Sequence, residues 1–256
     1  MLLSGLLLTS SVLFIVWLRQ LKTKNAGIVD AWWAYNFTFL IVLFYFLTLG
    51  SSIRIFLLIA MVMFWSIRLG TYLLIRNSFH RNKEDIRYAL LRKGYGKNAN
   101  RNMLSFFLIQ AFSNVLLSIP FLLVFIDQDS SVSFFEISGS TIWLVGFVGE
   151  SVADKQLKSF KKESGNEGKV CQKGLWKYSR HPNYFFEWLI WVGFAVYALS
   201  SPFGWLALTS PISMYFLLNN VTGIPMLEKL AVLSKGEAYI NYQKTTNAFF
   251  PWFRIK

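Results

Sequence analysis

Cysteine and histidine are nearly absent. The single Cys171 excludes an internal disulfide framework and any cysteine-based metal cage. The two histidines, His80 and His181, stand too far apart in sequence to suggest a histidine-rich site, so no metal is expected. Charge is scarce too: 15% of the 256 residues are Asp, Glu, Lys or Arg, where a soluble domain carries about 25%. Acids are the scarcer kind, 13 against 26 basic residues, which leaves a net charge of +13. What fills the chain instead is apolar, with 54% hydrophobic residues, 18% aromatics and a mean hydropathy of +0.42. These residues run in unbroken blocks, which excludes both an ordinary water-soluble domain and the alternating pattern of a membrane barrel.

A helix needs ~20 residues to cross a hydrocarbon layer of ~30 Å. Runs of that kind fall at roughly residues 2–18, 29–49, 53–75, 103–126, 135–153, 183–200 and 203–222. They predict an all-α, polytopic integral membrane protein with seven transmembrane helices in one domain. The first run has neither a basic leader nor a small-residue cleavage site, so it reads as a retained helix rather than a signal peptide. The loops carry the second signal. Of the 26 Lys and Arg, 24 fall between spans one and two, in residues 76–102, in residues 154–182 and after residue 225. These are alternate loops, on one side of a seven-span chain. The other side holds Arg54 with Asp127, Asp129 and Glu136. The positive-inside rule then puts the N-terminus outside and the C-terminus in the cytoplasm. Cations that follow topology in this way give no reason to expect a nucleic-acid partner. Topology and contact with anionic membrane lipids are themselves one explanation of the basic loops.

Asp30, Arg68, Glu150, Asp154 and Glu187 lie within or at the margins of the spans. Each costs about 2.5–3.5 kcal/mol to insert, and all lie within ~11 Å of the cytoplasmic helix ends. They describe one layer. Glu150 and Asp154, four apart, project from one helix face, with Arg68, Arg76 and Arg180 as candidate counter-cations. Two explanations stand: a layer of ion pairs that ties helices together, or a polar pocket open to the cytosol that takes a charged ligand.

Residues 171–187 carry the densest chemistry. Pro182 fits the first turn of a helix, so span six starts with free backbone N–H groups and Arg180 beside them, which is an anion site. Ser179 and His181 add polar groups, His181 either binding phosphate, acting as a general acid or bracing the turn. Asn183 and Glu187, four apart, share the face just below. His80 reads as a surface residue of the basic loop.

Gly174-Leu175-Trp176, Ser179-Arg180-His181-Pro182-Asn183-Tyr184 and Glu187 resemble the signature of the bacterial DUF1295 proteins, membrane relatives of the steroid 5-alpha-reductase family. Further matching segments are Gly27 to Trp32, Arg68 with Arg76, Glu84-Asp85 with Arg87-Tyr88, Gly223-Ile224-Pro225 with Glu228, and Tyr239 with Tyr242. The resemblance implies a seven-helix reductase of the bacterial inner membrane. Its NADPH would sit in a cytoplasm-facing pocket covered by residues 76–102, 154–182 and 223–256. Its reaction would reduce an activated carbon–carbon double bond of a lipophilic substrate, steroid-like or another lipid. The resemblance implies Asp154, Arg180, Asn183 and Glu187 at cofactor-contacting positions, with Arg68 and Arg76 in a segment that borders the cofactor; Glu150, Ser179, His181 and Tyr184 are further candidate cofactor-binding residues, and Tyr239 and Tyr242 form a lid that closes over it or, alternatively, anchor the tail at the interface. Steroid reductases carry a Tyr three residues before the position of Arg68, where this chain has Trp65. Tyr72, one turn beyond Arg68, and Asp30 are therefore the candidate catalytic residues. No Gly-x-Gly-x-x-Gly follows a strand, so the site is not of Rossmann type.

Arg180-His181-Pro182, Tyr184, Tyr239 and Tyr242 are also similar to isoprenylcysteine carboxyl methyltransferases, which implies S-adenosylmethionine as the competing cofactor. A third reading is non-catalytic, a lipid-binding or partner-stabilising membrane protein whose polar layer only locks helices. The oligomeric state stays open.

Overall fold

The computed structural model describes residues 1–79, 84–127, 129, 131–221 and 223–253; His80 lies outside them. The described residues form helices joined by turns, with no strand among them. The chain divides into two compact units, Met1–Ser133 with Ala198–Ala207, and Phe134–Tyr197 with Leu208–Lys256.

The first unit holds α1 (Leu2–Thr23), α2 (Ile28–Thr48), α3 (Ile53–Phe79), α4 (Ile86–Tyr95), α5 (Ala99–Leu117) and α6 (Ile119–Ile126). Apolar runs without an interior Pro make the first three continuous. Lys24 and Leu49 end α1 and α2 in the left-handed region, φ 52° and 50°, where their N–H groups return to the carbonyls of Gln20 and Tyr45. Asp85 caps α4 by accepting from the Arg87 amide at 2.9 Å. Pro120 cannot donate into the preceding turn, and α5 and α6 meet at a 41° bend beside it. Small residues bring the helices close. A Cβ on Gly70 would sit 2.7 Å from the Tyr35 ring, and one on Gly5 2.9 Å from Leu40. Polar side chains bridge the same contacts: Asn36 donates to Asn114 at 3.0 Å, Ser66 to the Ala34 carbonyl at 2.6 Å, and Thr9 to the Ala111 carbonyl at 3.3 Å. Where lipid supplies no hydrophobic drive between helices, such close approaches and hydrogen bonds associate them.

The second unit holds α7 (Phe134–Lys162), α8 (Pro182–Ala198, to Tyr197), α9 (Thr209–Phe216), a π turn (Leu217–Val221), α10 (Ile224–Lys235) and α11 (Glu237–Thr245). Gly139, Trp143, Gly146, Glu150, Ala153 and Asp154 recur at helical spacing as the buried stripe of α7. That stripe meets α8 backbone to backbone. A Cβ on Gly139 would lie 2.4 Å from the Tyr197 nitrogen, one on Gly146 2.9 Å from that of Ile190, and one on Gly193 2.6 Å from that of Trp143. Gly139→Ala and Gly193→Ala should therefore each force the helices apart and lower the melting temperature in detergent, by a change equivalent to about 1–3 kcal/mol. A wild-type melting temperature for Gly193→Ala would contradict this packing.

Among the described residues three helices, Leu2–Thr23, Ile28–Thr48 and Ile53–Asn77, are long and apolar enough to cross a membrane, and the bent α4–α6 series makes a fourth if it counts as one span. Their outer faces stay apolar and exposed, as at Leu7, Ile15, Phe46 and Phe64. The fifth and sixth expected spans, 135–153 and 183–200, overlap α7 and α8, which are not among those helices. Of the seventh expected span, 203–222, the described residues 203–221 are not one helix but a 3-10 segment (Gly204–Leu208), the eight-residue α9 and the π turn.

Candidate functional site

Each unit gathers polar residues at helix ends. In the first, Asp30 occupies the first turn of α2. It accepts from Arg87 at 2.7 Å and from the Tyr88 hydroxyl, and Arg76 approaches to 3.7 Å. Arg87 also pairs with Asp85 at 2.9 Å. Next to them Glu84 accepts from the Ala26 amide at 2.9 Å and pairs with Arg92 at 2.8 Å, while Arg92 donates to buried Gln20 at 2.9 Å. The amphipathic α4 is thus tied to α1, α2 and the turn between them. Tyr72 lies one turn before Arg76, whose guanidinium sits 6.0 Å from the centre of its ring. Arg68 is one turn earlier still, with Nε and Nη2 shielded from solvent. Of the residues expected from sequence, this unit brings Asp30, Tyr72 and Arg76 together and sets Arg68 next along α3. It adds Arg87 and Tyr88, which sequence reasoning had matched to the family without assigning a role.

The second unit has two polar groupings. One lies where α7 meets the start of α8. Glu150, Asp154 and Glu187 are buried there, at 3%, 5% and 5% exposure. Asn183 donates to Asp154 at 3.3 Å, and the Trp191 indole donates to Glu187 at 3.1 Å. Glu150 lies one turn beyond Gly146, which abuts Phe186 and Ile190, so its carboxylate belongs to the same helix contact.

The other grouping locks residues 178–181 to the C-terminal segment. The amides of Arg180 and His181 donate to the carbonyls of Asn247 and Ala248 at 2.9 and 3.1 Å, and the Trp252 amide donates to Tyr178 at 3.0 Å. Ser179 donates to the Phe249 carbonyl at 2.9 Å and accepts from the His181 amide at 3.1 Å. Tyr242 donates to the carbonyls of Trp176 and Ser179. Tyr184 stacks on the His181 ring, centroids 5.8 Å apart. At the centre is Glu228 of α10. It accepts from Nε and Nη2 of Arg180 at 2.9 Å each, from Tyr239 at 2.8 Å and from Gln243, and it meets Nε2 of His181 at 2.8 Å. Burial pushes this carboxyl up, but the hydrogen bonds from His181, Arg180, Gln243 and Tyr239 outweigh it and hold it well below the usual carboxylate range. Burial, together with the bond to Glu228, pushes the Tyr239 phenol far above its ordinary value.

Arg180 therefore differs from its sequence-based expectation. Its fork is turned into the tail, with Nη1 also donating to the carbonyls of Gln243 and Thr246. The reason is acceptor supply: a carboxylate and two carbonyls reach it together, which satisfies four of its five donors. Glu228 is the residue that sequence reasoning missed. Sequence had placed it only within the family-matching segment Gly223-Ile224-Pro225 with Glu228, as one acid of an amphipathic run, without a role.

Apolar helices of membrane length, joined by buried polar side chains, define an all-helical polytopic membrane protein. The chain belongs to the family described as "Protein of unknown function (DUF1295)", which matches residues 16–246. A protein of Schizosaccharomyces pombe, itself described as uncharacterized, is 25% identical over 281 residues, covering 96% of this chain and 78% of the relative. No solved structure matches the chain.

Proposed function

We propose that this protein is a membrane-embedded, NADPH-dependent reductase of an activated carbon–carbon double bond in a lipophilic substrate. The observation that carries the reading is the trio Glu150, Asp154 and Glu187 with Asn183, buried where α7 meets the start of α8. Carboxylates held out of water are costly unless donors reach them. Ribose hydroxyls and a nicotinamide carboxamide are donors of the right kind, and Asn183 offers both a donor and an acceptor. The donor set thus fits the polar sugar and amide parts of a dinucleotide. When bound, NADPH supplies the hydride, and a proton must reach the neighbouring carbon. Asp30 and Tyr72, grouped with Arg76 in their own unit, are the proposed proton-handling residues. Arg180 acts as a positioning residue that holds the tail against the signature loop. Arg68 and Arg76 lie in a segment that the family resemblance puts beside the cofactor, and their guanidinium groups suit its phosphates.

The same reading includes seven spans, an outer N-terminus and a cytoplasmic site in a bacterial inner membrane, supported by the one-sided distribution of Lys and Arg.

One observation favours a second reading. With Arg180 already occupied by Glu228, the α7–α8 grouping is acid-rich, which suits a cofactor bearing positive charge. S-adenosylmethionine, as in the isoprenylcysteine methyltransferases, is such a cofactor. Titration of NADPH, followed by its fluorescence, into the full chain in detergent separates the two. Wild type should bind, and Glu187→Gln and Asp154→Asn should each weaken binding about tenfold or more. Arg76→Ala tests the phosphate role separately. S-adenosylmethionine binding that NADPH does not compete away would replace the reductase reading with the methyltransferase one.

A further inference from the structure

Helix α4 buries one face in the bundle and turns an equally ordered face away from it. The helix folds back along α5 rather than continuing it: the Tyr88 and Phe106 rings meet at 5.9 Å, where one unbroken helix would set them ~27 Å apart. Tyr88, Leu91 and Tyr95, at i, i+3 and i+7, form the inward stripe and join the apolar cluster made with α1, α2 and α5. Arg87 and Arg92 turn the same way, toward Asp30 and Gln20. Ile86, Leu90 and Lys93, at i, i+4 and i+7, lie opposite, and Lys97 follows in the 3-10 segment Gly96–Asn98. Ile86 and Leu90 are 57% and 45% exposed, and both lysines are exposed.

The acids nearest in sequence to those lysines are committed to the inward side. Asp85 pairs with Arg87 at 2.9 Å and Glu84 with Arg92 at 2.8 Å, and no Asp or Glu occurs from residue 86 to residue 126. The outward face is therefore apolar at one end and cationic at the other. Its apolar end is the one nearest the spans, because the adjoining Arg87 and Tyr88 reach Asp30 in the first turn of α2, a helix of membrane length. Single exposed apolar side chains need no explanation, and the positive-inside rule asks only that lysines stand somewhere in the loop. Neither accounts for two apolar residues one turn apart that lead into lysines along one face. A lipid leaflet does: acyl chains meet Ile86 and Leu90, and the phosphates at their headgroups meet the ammonium groups. Since a leaflet offers a plane of headgroups, the lysines need not converge on one point.

We infer that the outward face of α4 binds anionic phospholipid, acyl chains against Ile86 and Leu90 and headgroup phosphates against Lys93 and Lys97. This face is opposite the one that carries Arg87 and Tyr88 to Asp30, so the inference stands apart from the cofactor reading.

Its test uses the full chain in nanodiscs of phosphatidylcholine mixed with phosphatidylglycerol, with native mass spectrometry reading the lipids that stay bound after release from the disc. Wild type should retain phosphatidylglycerol in preference to phosphatidylcholine, and Lys93→Gln with Lys97→Gln should lower that preference about tenfold. Lys162→Gln with Lys169→Gln removes the same charge from exposed side chains of the other unit and should leave the preference unchanged. A wild type that shows no preference overturns the inference. So does a preference that ignores Lys93 and Lys97, or one that falls equally with both lysine pairs, which would mark attraction by net charge and not by this face.

Discussion

Arg54→Ala is expected to leave almost no folded protein after extraction. Arg54 opens α3 and is 1% exposed. Its Nη1 donates to Asp127 at 2.7 Å and to the Asp129 carbonyl at 3.0 Å, and its Nη2 donates to Ser200 and Ser201, each at 3.0 Å. All of these residues belong to the first unit, so one guanidinium joins the start of α3, the end of α6 and the turn after α8. Removing it strands the Asp127 carboxylate, itself 7% exposed, with no cation beside it. Breaking a buried pair from one side costs about 3–5 kcal/mol, against a total stability of about 5–15 kcal/mol. Arg54→Lys keeps the charge but lacks a fork able to reach four acceptors, so it should recover only part of the loss. Pairing Arg54→Met with Asp127→Leu should recover more than either single change, because no unpaired charge then remains buried. Fluorescence-detected size exclusion and melting temperatures in one detergent rank the five variants. An Arg54→Ala protein that extracts and melts like wild type would falsify the role given to this residue. The pair also accounts for a feature of the sequence: Arg54 is the one Lys or Arg on the side expected to be external, and Asp127 neutralises it there.

Periodicity made some of this structure readable in advance, and long-range pairing hid the rest. Helices α1 to α3 follow from hydropathy because their apolar runs contain no residue that interrupts helical hydrogen bonding. Hydropathy averages composition, however, and does not see the backbone. Residues 203–222 are as apolar as the other runs, yet Phe203 is left-handed at φ 58° and a Cβ on Gly204 would come within 2.5 Å of the Leu199 carbonyl oxygen. The chain therefore turns there before α9 begins. The site divides in the same way. Glu150 with Asp154, and Asn183 with Glu187, are neighbours by helical spacing, so their common faces were legible. Asp30 meets Arg87 across 57 positions, and Arg180 meets Glu228 across 48. No local pattern encodes such pairs, and for that reason Arg180 was aimed at an anion when its partner is the tail.

Glu228→Ala should release the C-terminal segment from the signature loop. The substitution leaves two Arg180 donors, the Tyr239 hydroxyl and the Gln243 amide without their shared acceptor. Hydrogen bonds to a charged group contribute about 1.5–3 kcal/mol each and are not additive, so a loss of about 3–5 kcal/mol in tail docking is expected. Residues 223–253 would then become the preferred site of limited proteolysis, while α7 and α8, packed through Gly139, Gly146 and Gly193, stay protected. Glu228→Gln keeps the shape but not the charge and should fall between. The sign of the pH dependence follows from the lowered pKa of the carboxyl in the folded protein. Such a group adds stability that is fully present above its unfolded value, about 4.3, and that is lost as the pH falls toward the folded value. Protection of the tail should thus hold steady from neutral pH down to about pH 5 and decline below about pH 4. In Glu228→Gln that acid limb should flatten, because the group that binds the proton is gone. A tail equally protected in wild type and Glu228→Ala, or an acid limb unchanged in Glu228→Gln, would show that the Arg180 junction is held by the backbone pairing of 178–181 with 247–252 and not by its central carboxylate.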